Sequence, residues 1–411
     1  MRSDKTIEVV VKQELCTGCG TCVSMCLEDA IEMVINYSKG IYVPQLDNDR
    51  CNECGICFDV CPGRSLDFKG LNVEIFGEEP EDILLGNYLN CYIAHGTDYD
   101  IRYNSTSGGL VTTLLIFALE EGLIDGALVT KMREDRPLEP QPFIAKTRGE
   151  IISAAKSKYC PVPANIALKE LLKQDGAFAV VGLSCHIHGI RKAELLDNKL
   201  KEKIVLHLGI LCSAAPTFLA TEFTLRKAKV KKDEVKGLDY RGEGWPGKMR
   251  IRLRDNEILL PFHDYWNRGF SSYFFSKRCR LCCDGINEFA DISFGDAWRL
   301  PEVAEDKAGA SLLVSRSKAG EEILRNAESQ GKIELKRVES DKVLQSQRAM
   351  LLGKKSAVGA NLFAFKLFGS KVPTYNLQLL EPKRSAYLRA VFYYLYWRLN
   401  IASKRLLWRL I

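Results

Sequence analysis

Two cysteine runs near the start of the chain have a spacing that suits redox metal clusters. CTGCGTCVSMC begins at Cys16 and CNECGICFDVCP begins at Cys51, so one C-x2-C-x2-C-x3-C pattern occurs twice. In bacterial proteins with this spacing, three thiolates of a run bind one 4Fe-4S cube and the fourth binds a second cube. The runs therefore predict two 4Fe-4S clusters, which carry single electrons.

The predicted ligand sets each combine three cysteines of one run with the last cysteine of the other run. The first set is Cys16, Cys19, Cys22 and Cys61, and the second is Cys51, Cys54, Cys57 and Cys26. Leu27 stands where the first run would normally have proline, which removes a turn restraint but no ligand. A pair of zinc sites is the alternative, because C-x2-C is also a zinc spacing.

Two later loops are candidates for an anionic cofactor. One precedes an apolar helical pattern, where the free amides of a helix start favour a phosphate, and the other combines two cations, a hydroxyl and an aromatic ring. Their simpler interpretations are a helix entry without ligand and a solvated basic turn. The residues are Ser107, Gly108, Gly109, Lys156, Ser157, Lys158 and Tyr159.

Cysteines beyond the two runs are candidates for a third metal site. Cys279 and Cys282 form a further C-x-x-C, although the neighbouring Cys283 leaves the second ligand ambiguous. Loops of the predicted sheet could add further thiols, and these are Cys160, Cys185 and Cys212. Isolated cysteines are also common as small buried residues, which is the interpretation for Cys91.

The elements that must position these loops follow an α/β pattern. Buried strands are predicted at 177–182 and 203–212, each leading into a helical segment, and this alternation favours a parallel or mixed sheet. The loop after the first of them, 182–189, is where open α/β sheets bind ligands. A polar linker is predicted at 77–82, and a hairpin around Asp255-Asn256.

The charge of the chain is concentrated in its last part. The net charge is +6, but residues 371–411 hold eight Lys and Arg against the single acid Glu381, so the rest is close to neutral. Residues 384–411 contain no acid and combine Arg with Tyr, Trp and Leu. Such a helix suits an anionic membrane surface, or docking on the body or a partner subunit. Nothing in this distribution indicates nucleic acid binding.

The expected compartment is the cytoplasm. The first residues lack the apolar core of a secretory signal, and no uninterrupted apolar run is long enough for a spanning helix. The cysteines are therefore expected to be metal ligands and not disulfides. Peripheral contact with the inner face of the membrane, through the tail, remains one of the two interpretations of residues 384–411.

The order of these motifs resembles the beta subunit family of coenzyme F420 hydrogenases and dehydrogenases, over roughly residues 5 to 350. The segment ADISFGDAW, at 290–298, with its preceding cysteines is the most specific part of the resemblance. One departure is Leu183-Ser184, where many relatives have Thr-Pro. The resemblance implies FAD, held by the two loops that contain Ser107 and Lys156, and a third cluster at Cys185, Cys279 and Cys282.

The resemblance also implies a fold and a function. The expected fold is α+β: a two-cluster ferredoxin-like domain at 1–75, an α/β flavin-binding body in parts 85–235 and 236–350, and a helical tail at 371–411. The expected function is electron transfer between coenzyme F420, or another small hydride carrier, and a redox partner subunit or ferredoxin. The alternatives are a non-catalytic relay subunit, a related reductase with another donor, and a zinc-stabilised binding protein.

Overall fold

The computed structural model describes residues 5–267 and 274–407, without the side chains of Tyr396 and of residues 399–407. The N-terminal domain combines an antiparallel hairpin, β1 (Ile31–Asn36) and β2 (Ile41–Leu46), with short helices. These helices are Ile7–Lys12, Thr21–Ser24 and Ile56–Asp59. A small core of its own includes both hairpin strands and the cysteines Cys22, Cys57 and Cys61.

The body is built on an eight-stranded mixed sheet of order β14-β4-β13-β12-β8-β7-β5-β6 in the described part of the chain. Strands from both predicted parts of the body belong to this one sheet. The remaining strands are β3 (Ser65–Leu66), β4 (Asn90–Gly96), β5 (Gly126–Met132), β6 (Pro140–Ala145), β7 (Phe178–Leu183), β8 (Ile204–Ile210), β9 (Gly237–Asp239), β10 (Lys248–Arg252), β11 (Glu257–Pro261), β12 (Ile292–Asp296), β13 (Ser311–Ser315), β14 (Ile333–Val338) and β15 (Thr374–Tyr375).

Four central strands, β12, β8, β7 and β5, run parallel. Phe178, Ala179 and Val180 of β7 are fully buried, as expected of a parallel strand covered on both faces. β4 has the same direction, because it is antiparallel to β13, which is antiparallel to β12. The carboxyl ends of these strands therefore share one edge of the sheet, which is where ligands bind in open α/β folds.

Helices cover the sheet, and most of them lie between its strands along the chain. The helices after residue 67 are Phe68–Phe76, Tyr99–Asn104, Leu110–Glu120, Arg148–Ser153, Leu168–Lys173, Ser184–Glu194, Asn198–Lys203, Phe218–Lys227, Phe262–Tyr265, Lys277–Arg280, Lys318–Ser329, Ser340–Leu352, Val358–Leu367 and Arg384–Leu407. Separate hydrophobic clusters fill the space around the sheet, one of which contains the helix Leu110–Glu120. The hairpin predicted around Asp255-Asn256 is confirmed as β10 and β11.

The last helix, Arg384–Leu407, packs on the helix Val358–Leu367 through small residues. Ala386 and Ala390 meet Ala360 and Ala364 in this contact. The final residues of the predicted tail, 408–411, lie outside the described residues. Among the residues that the structure describes, no helix has the length and apolar character of a membrane-spanning segment.

Candidate functional site

Two cavities in the N-terminal domain divide the eight cysteines of the paired runs into two groups of four. One cavity, of about 260 Å³ including its solvent-open part, is lined by Cys16, Cys19, Cys22 and Cys61. The other, of about 340 Å³, is lined by Cys26, Cys51, Cys54 and Cys57. These are the same two sets that the spacing predicts. Cys54 is exposed, so the second group reaches the surface.

The thiols around these cavities fit a cationic cluster. Burial raises the pKa of Cys57 to about 11, and it also raises the pKa of Cys16, Cys22 and Cys61. A thiolate at these positions therefore needs nearby positive charge, which bound iron supplies. Within residues 5–267 and 274–407, no three His, Cys, Asp or Glu side chains converge on a point suited to a single metal ion.

A second group of thiols lies at the carboxyl edge of the body sheet, and we call it the body thiol group. Its members come from three distant segments: the helix that follows β7, the end of β8, and the loop before β12. They are Cys185, Cys212, Cys279 and Cys282. Each keeps some accessible surface, as residues that line a gap do.

The proximity of these thiols is visible in their mutual effect on ionisation. Burial raises the pKa of Cys185, and the charges of Cys19, Cys212, Cys279 and Cys282 raise it further. Cys19 belongs to the first set of the N-terminal domain. Asn165 joins this set to the body thiol group, since its backbone amide donates to the carbonyl oxygen of Cys19 and its side-chain amide to that of His186, both at 2.9 Å.

Packing separates the remaining cysteines from this group. Cys283 is buried in a hydrophobic cluster with Phe68 and Phe289, while Cys282 donates to the carbonyl oxygen of Asp284 at 3.2 Å. The suggestion that Cys160 joins a third metal site is wrong, because Cys160 lies in another cluster and its thiol meets Tyr240. Cys91 is buried within β4.

Buried cations flank the body thiol group. Lys354, which is 7 % exposed, donates to the carbonyl oxygen of Cys279 at 3.0 Å. A Cβ on Gly285 would lie 3.0 Å from Cγ of Lys354 and 3.1 Å from the carbonyl oxygen of Cys212, so the lysine side chain and the Cys212 backbone both pack closely on Gly285. Burial disfavours the charged form of Lys354. The negative charges of the Cys282, Cys279 and Cys212 thiolates have the larger effect and raise the pKa of the ammonium group.

Unpaired polar atoms next to the cysteines also fit a bound cluster. Among the described residues, buried atoms without a hydrogen-bond partner include Thr17 Oγ1, Ser184 Oγ and Arg278 Nη1. Each belongs to a residue next to a predicted ligand, since Thr17 follows Cys16, Ser184 precedes Cys185 and Arg278 precedes Cys279. Cluster sulfurs accept hydrogen bonds, so a cube at each place would provide acceptors for these donors.

The N-terminal domain is held against the body through the same segments. Arg278 donates from Nε to the carbonyl oxygen of Gly63 at 3.0 Å and from Nη2 to that of Pro62 at 3.1 Å. Lys192 donates to the carbonyl oxygen of Cys61 at 3.1 Å. The backbone amide of Asn165 donates to the carbonyl oxygen of Cys19 at 2.9 Å. These bonds fix the position of the ligand loops of the N-terminal domain relative to those of the body.

The two loops predicted for an anionic cofactor lie side by side. The backbone amide of Ser157 donates to Thr106 Oγ1 at 3.2 Å, and Ser107 donates to the carbonyl oxygen of Gly295, at the end of β12, at 3.1 Å. Ser107, Gly108 and Gly109 all have positive φ. A Cβ on Gly108 would lie 3.0 Å from Cα of Ala310, so packing also requires glycine there.

The cations of the second loop have partners within the chain. Lys158 donates to the carbonyl oxygens of Ala155 and Lys156 at 2.8 and 2.9 Å, at the end of the helix Arg148–Ser153. Burial lowers the pKa of Lys158 to about 7. Lys156 pairs with Asp239 at 3.2 Å. The amides at the start of the helix Leu110–Glu120 are thus better placed than these side chains to bind a phosphate.

A buried arginine, which the sequence does not single out, links the second loop to the ADISFGDAW segment. Arg241 binds Asp296 through two hydrogen bonds of 2.9 and 3.0 Å, and it donates to the Tyr159 hydroxyl at 3.3 Å. Trp245 donates to the same carboxylate at 2.7 Å, and its ring lies 4.6 Å from that of Trp298. Arg241 and Asp296 are far apart in sequence, so no motif brings them together.

A buried histidine within β8 joins the elements that carry two of the body thiols. His207 in β8 contacts Glu194 at 2.7 Å, at the end of the helix that begins with Ser184-Cys185, and Asp291 at 3.2 Å, just before β12. Burial and Arg191 act to lower the pKa of His207, but the two carboxylates outweigh them and raise it above its usual value.

Comparisons with known families agree with this arrangement. Residues 91–169 match the family of coenzyme F420 hydrogenase/dehydrogenase beta subunits in its N-terminal part, and residues 175–341 match its C-terminal part. Residues 15–64 match a 4Fe-4S dicluster domain, and we call this segment the dicluster domain. The predicted combination of an N-terminal cluster domain with an α/β body is thereby confirmed.

Several individual relatives are redox proteins by name. The chain is 30% identical over 237 residues to the coenzyme F420 hydrogenase subunit beta of Methanosarcina barkeri, covering 53% of this chain and 75% of the relative. It is 25% identical over 311 residues to a coenzyme F420-dependent sulfite reductase of Methanocaldococcus jannaschii, covering 70% and 43%. A chain of the F420-reducing NiFe hydrogenase complex of Methanosarcina barkeri superposes with a TM-score of 0.55 at 26% identity, covering 74% of this chain and 99% of that one.

Proposed function

The chain belongs to the family of coenzyme F420 hydrogenase/dehydrogenase beta subunits, and we propose that it is an iron–sulfur flavoprotein that transfers electrons between coenzyme F420 and one-electron carriers. The observation that supports this most is the adjacency of Cys19 to the segment of Cys185, because Asn165 donates to the carbonyl oxygens of both Cys19 and His186 at 2.9 Å. It makes a continuous series of cysteine groups from the carboxyl edge of the sheet to the exposed Cys54.

In this proposal three 4Fe-4S clusters occupy the three thiol groups. The body cluster takes Cys185, Cys279 and Cys282, with Cys212 as a fourth ligand, and the dicluster domain takes the two sets predicted from its spacing. Four thiols per cube match the ligand number that such clusters require. Cys283 has no part in it, because it is 1% exposed inside a hydrophobic cluster.

FAD is assigned to the edge of the sheet beside the body thiol group. When bound, FAD accepts a hydride as an electron pair and can release the electrons singly, which suits a chain of clusters. The loop at Ser107–Gly109 would bind its phosphates through backbone amides. Residues 156–159 would frame its ring, where Tyr159 is fixed by Arg241. Lys156 and Lys158 hold this loop in shape through their own partners.

The electron partner would be another subunit or a ferredoxin that docks near Cys54. The relative of known structure is part of a hydrogenase complex, which supports a partner subunit. A cytoplasmic location and the use of coenzyme F420, in place of another hydride carrier, belong to the same proposal.

The donor test uses protein purified without oxygen. We expect flavin absorbance, about twelve irons per chain for three cubes, and bleaching of the flavin by reduced coenzyme F420 but not by NADH or NADPH. Flavin that bleaches with none of these donors would make the chain a non-catalytic relay. A colourless protein that contains zinc would contradict both the relay and the oxidoreductase.

A further inference from the structure

The helix Arg384–Leu407 presents an apolar face to solvent. Leu388, Phe392 and Leu395 follow one another at helical spacing, and Leu388 and Phe392 are 76% and 73% exposed. The opposite face carries Ala386 and Ala390, which are buried against the helix Val358–Leu367. The helix is therefore docked on the body and still has an uncovered apolar stripe.

The uncovered apolar surface continues onto the neighbouring helix. Phe363 and Leu367 are 55% and 63% exposed, and the ring of Phe363 lies 5.6 Å from that of Tyr387. Scattered exposed apolar side chains are normal, but five of them on two packed helices that this ring contact joins mark a surface that meets another apolar phase. The surface extends over both helices.

The charges around this surface have one sign. Exposed cations surround the stripe, and they are Lys366, Lys371, Lys383, Arg384, Arg389 and Arg398. Glu381 is the single acid of residues 366–411 in the sequence. On the helix, Arg384 and Arg389 fall on opposite sides of the stripe at 100° per residue. Long basic side chains beside an apolar stripe can reach anionic headgroups while the stripe enters the acyl boundary.

We propose that the surface formed by Phe363, Leu367, Leu388, Phe392 and Leu395 binds the interface of an anionic lipid bilayer and holds the redox body against it. A second copy of the chain is a poorer occupant, because it would bring two clusters of cations together. The proposal does not depend on the redox chemistry of the body.

Vesicle flotation of the full chain tests this proposal. The protein should float with vesicles of equal parts phosphatidylserine and phosphatidylcholine, and about ten-fold less with phosphatidylcholine alone. The double variant Leu388→Ser/Phe392→Ser should lose binding about ten-fold, and Arg384→Gln/Arg389→Gln should weaken binding to the anionic vesicles most at low salt. Iron content should stay unchanged in both, which shows that the body is folded.

The matched control is Leu195→Ser/Leu196→Ser, which changes two leucines of 54% and 58% exposure on another part of the body and should float like the wild type. Wild-type protein that stays unbound on anionic vesicles overturns the proposal. So does a dimer in solution that the Leu388→Ser/Phe392→Ser variant dissociates, since this face would then join two copies. Undiminished binding by that double variant would also overturn it.

Discussion

The dicluster domain and the body build their thiol groups from different kinds of structure. In the dicluster domain all eight cysteines lie between Cys16 and Cys61 and are placed by short helices and tight turns. In the body, Cys185 and Cys212 follow the carboxyl ends of two parallel strands, and the segment before β12 brings Cys279 and Cys282 to the same edge of the sheet. The first arrangement depends on local backbone, and the second depends on the whole sheet.

The second set of the dicluster domain and the body thiol group also differ in the charge around their cysteines. The second set of the dicluster domain opens to solvent at Cys54, whereas the body thiol group lies beside buried Lys354 and Arg278. A cation in a site of low dielectric stabilises an added electron. A cluster bound at the body thiol group, as we propose, should therefore have a higher midpoint potential than a cluster bound at the second set of the dicluster domain.

The largest expected effect follows from removing one thiol of the body group. Cys185→Ser should lower the iron content from about twelve to about eight per chain, since one cube of three is lost. The dicluster domain should keep its clusters, because its ligands are local. Metal analysis and low-temperature paramagnetic resonance measure both quantities.

The matched control for that variant is Cys283→Ser, which should keep all of its iron. If Cys283→Ser loses iron while Cys185→Ser does not, the assignment of the body group is wrong. If either variant also empties the dicluster domain, the two regions are not independent and the comparison fails.

A smaller effect is expected from the cation beside the body cluster. Lys354→Met should lower the midpoint potential of this cluster by on the order of 100 mV, which corresponds to about 2 kcal/mol for a unit charge at roughly 7 Å and an effective dielectric constant of about 20. Lys354→Arg should restore most of the potential. A redox titration followed by paramagnetic resonance resolves the clusters.

Lys192, beside Cys61, offers the corresponding change in the dicluster domain. Lys192→Met should lower the midpoint potential of the dicluster cluster that Cys61 binds. The midpoint potential of the body cluster should stay unchanged. Equal potentials in the wild type and Lys354→Met would show that the buried cation has only a structural role.

The smallest effect concerns the pH dependence of the body. The pKa of His207 is raised in the folded protein, so its contribution to stability is complete below its usual value of about 6.5 and is lost as pH rises through the higher folded value. Glu194 and Asp291 have lowered pKa values and stay charged in this range, beside Arg191. In thermal unfolding, the stability of the wild type relative to the His207→Gln variant should therefore fall between pH 6 and 8, by at most about 1.4 kcal/mol per pH unit.

His207→Gln should remove that slope, and the exposed His263→Gln should retain it. The dicluster domain contains no histidine, so its absorbance should not follow the same pH dependence. A slope that persists without His207 would place the titrating group elsewhere.

The sequence is most informative where the structure is local. The spacing of the dicluster cysteines gives the same two groups that line the two cavities, because each run fixes its own turns. In the body, C-x-x-C points to Cys279 and Cys282 or Cys283, and only the burial of Cys283 in a hydrophobic cluster separates the last two. In the sequence, Cys160 and Cys212 look equivalent, because each lies in a predicted loop of the sheet. The order of the strands in the sheet decides which loops meet, and the sequence does not show that order.

Long-range pairs could not be predicted at all. The partners of Lys156 and Lys158 are Asp239 and backbone carbonyls, so two cations that suggest a phosphate site are used inside the chain. Arg241 and Asp296 pair across 55 residues, and Lys354 approaches Cys279 across 75. Such contacts arise from the topology of the sheet, and their members carry no local signal of a partner.

The most direct test of the account is the order in which the cofactors are reduced. Reduced coenzyme F420 is mixed anaerobically with wild-type protein and with Cys185→Ser, and flavin and cluster absorbance are followed with time. We predict flavin bleaching before dicluster reduction in the wild type, and flavin bleaching with dicluster reduction slowed at least about a hundred-fold in the variant. Dicluster reduction at the wild-type rate in Cys185→Ser would contradict a path through the body thiol group.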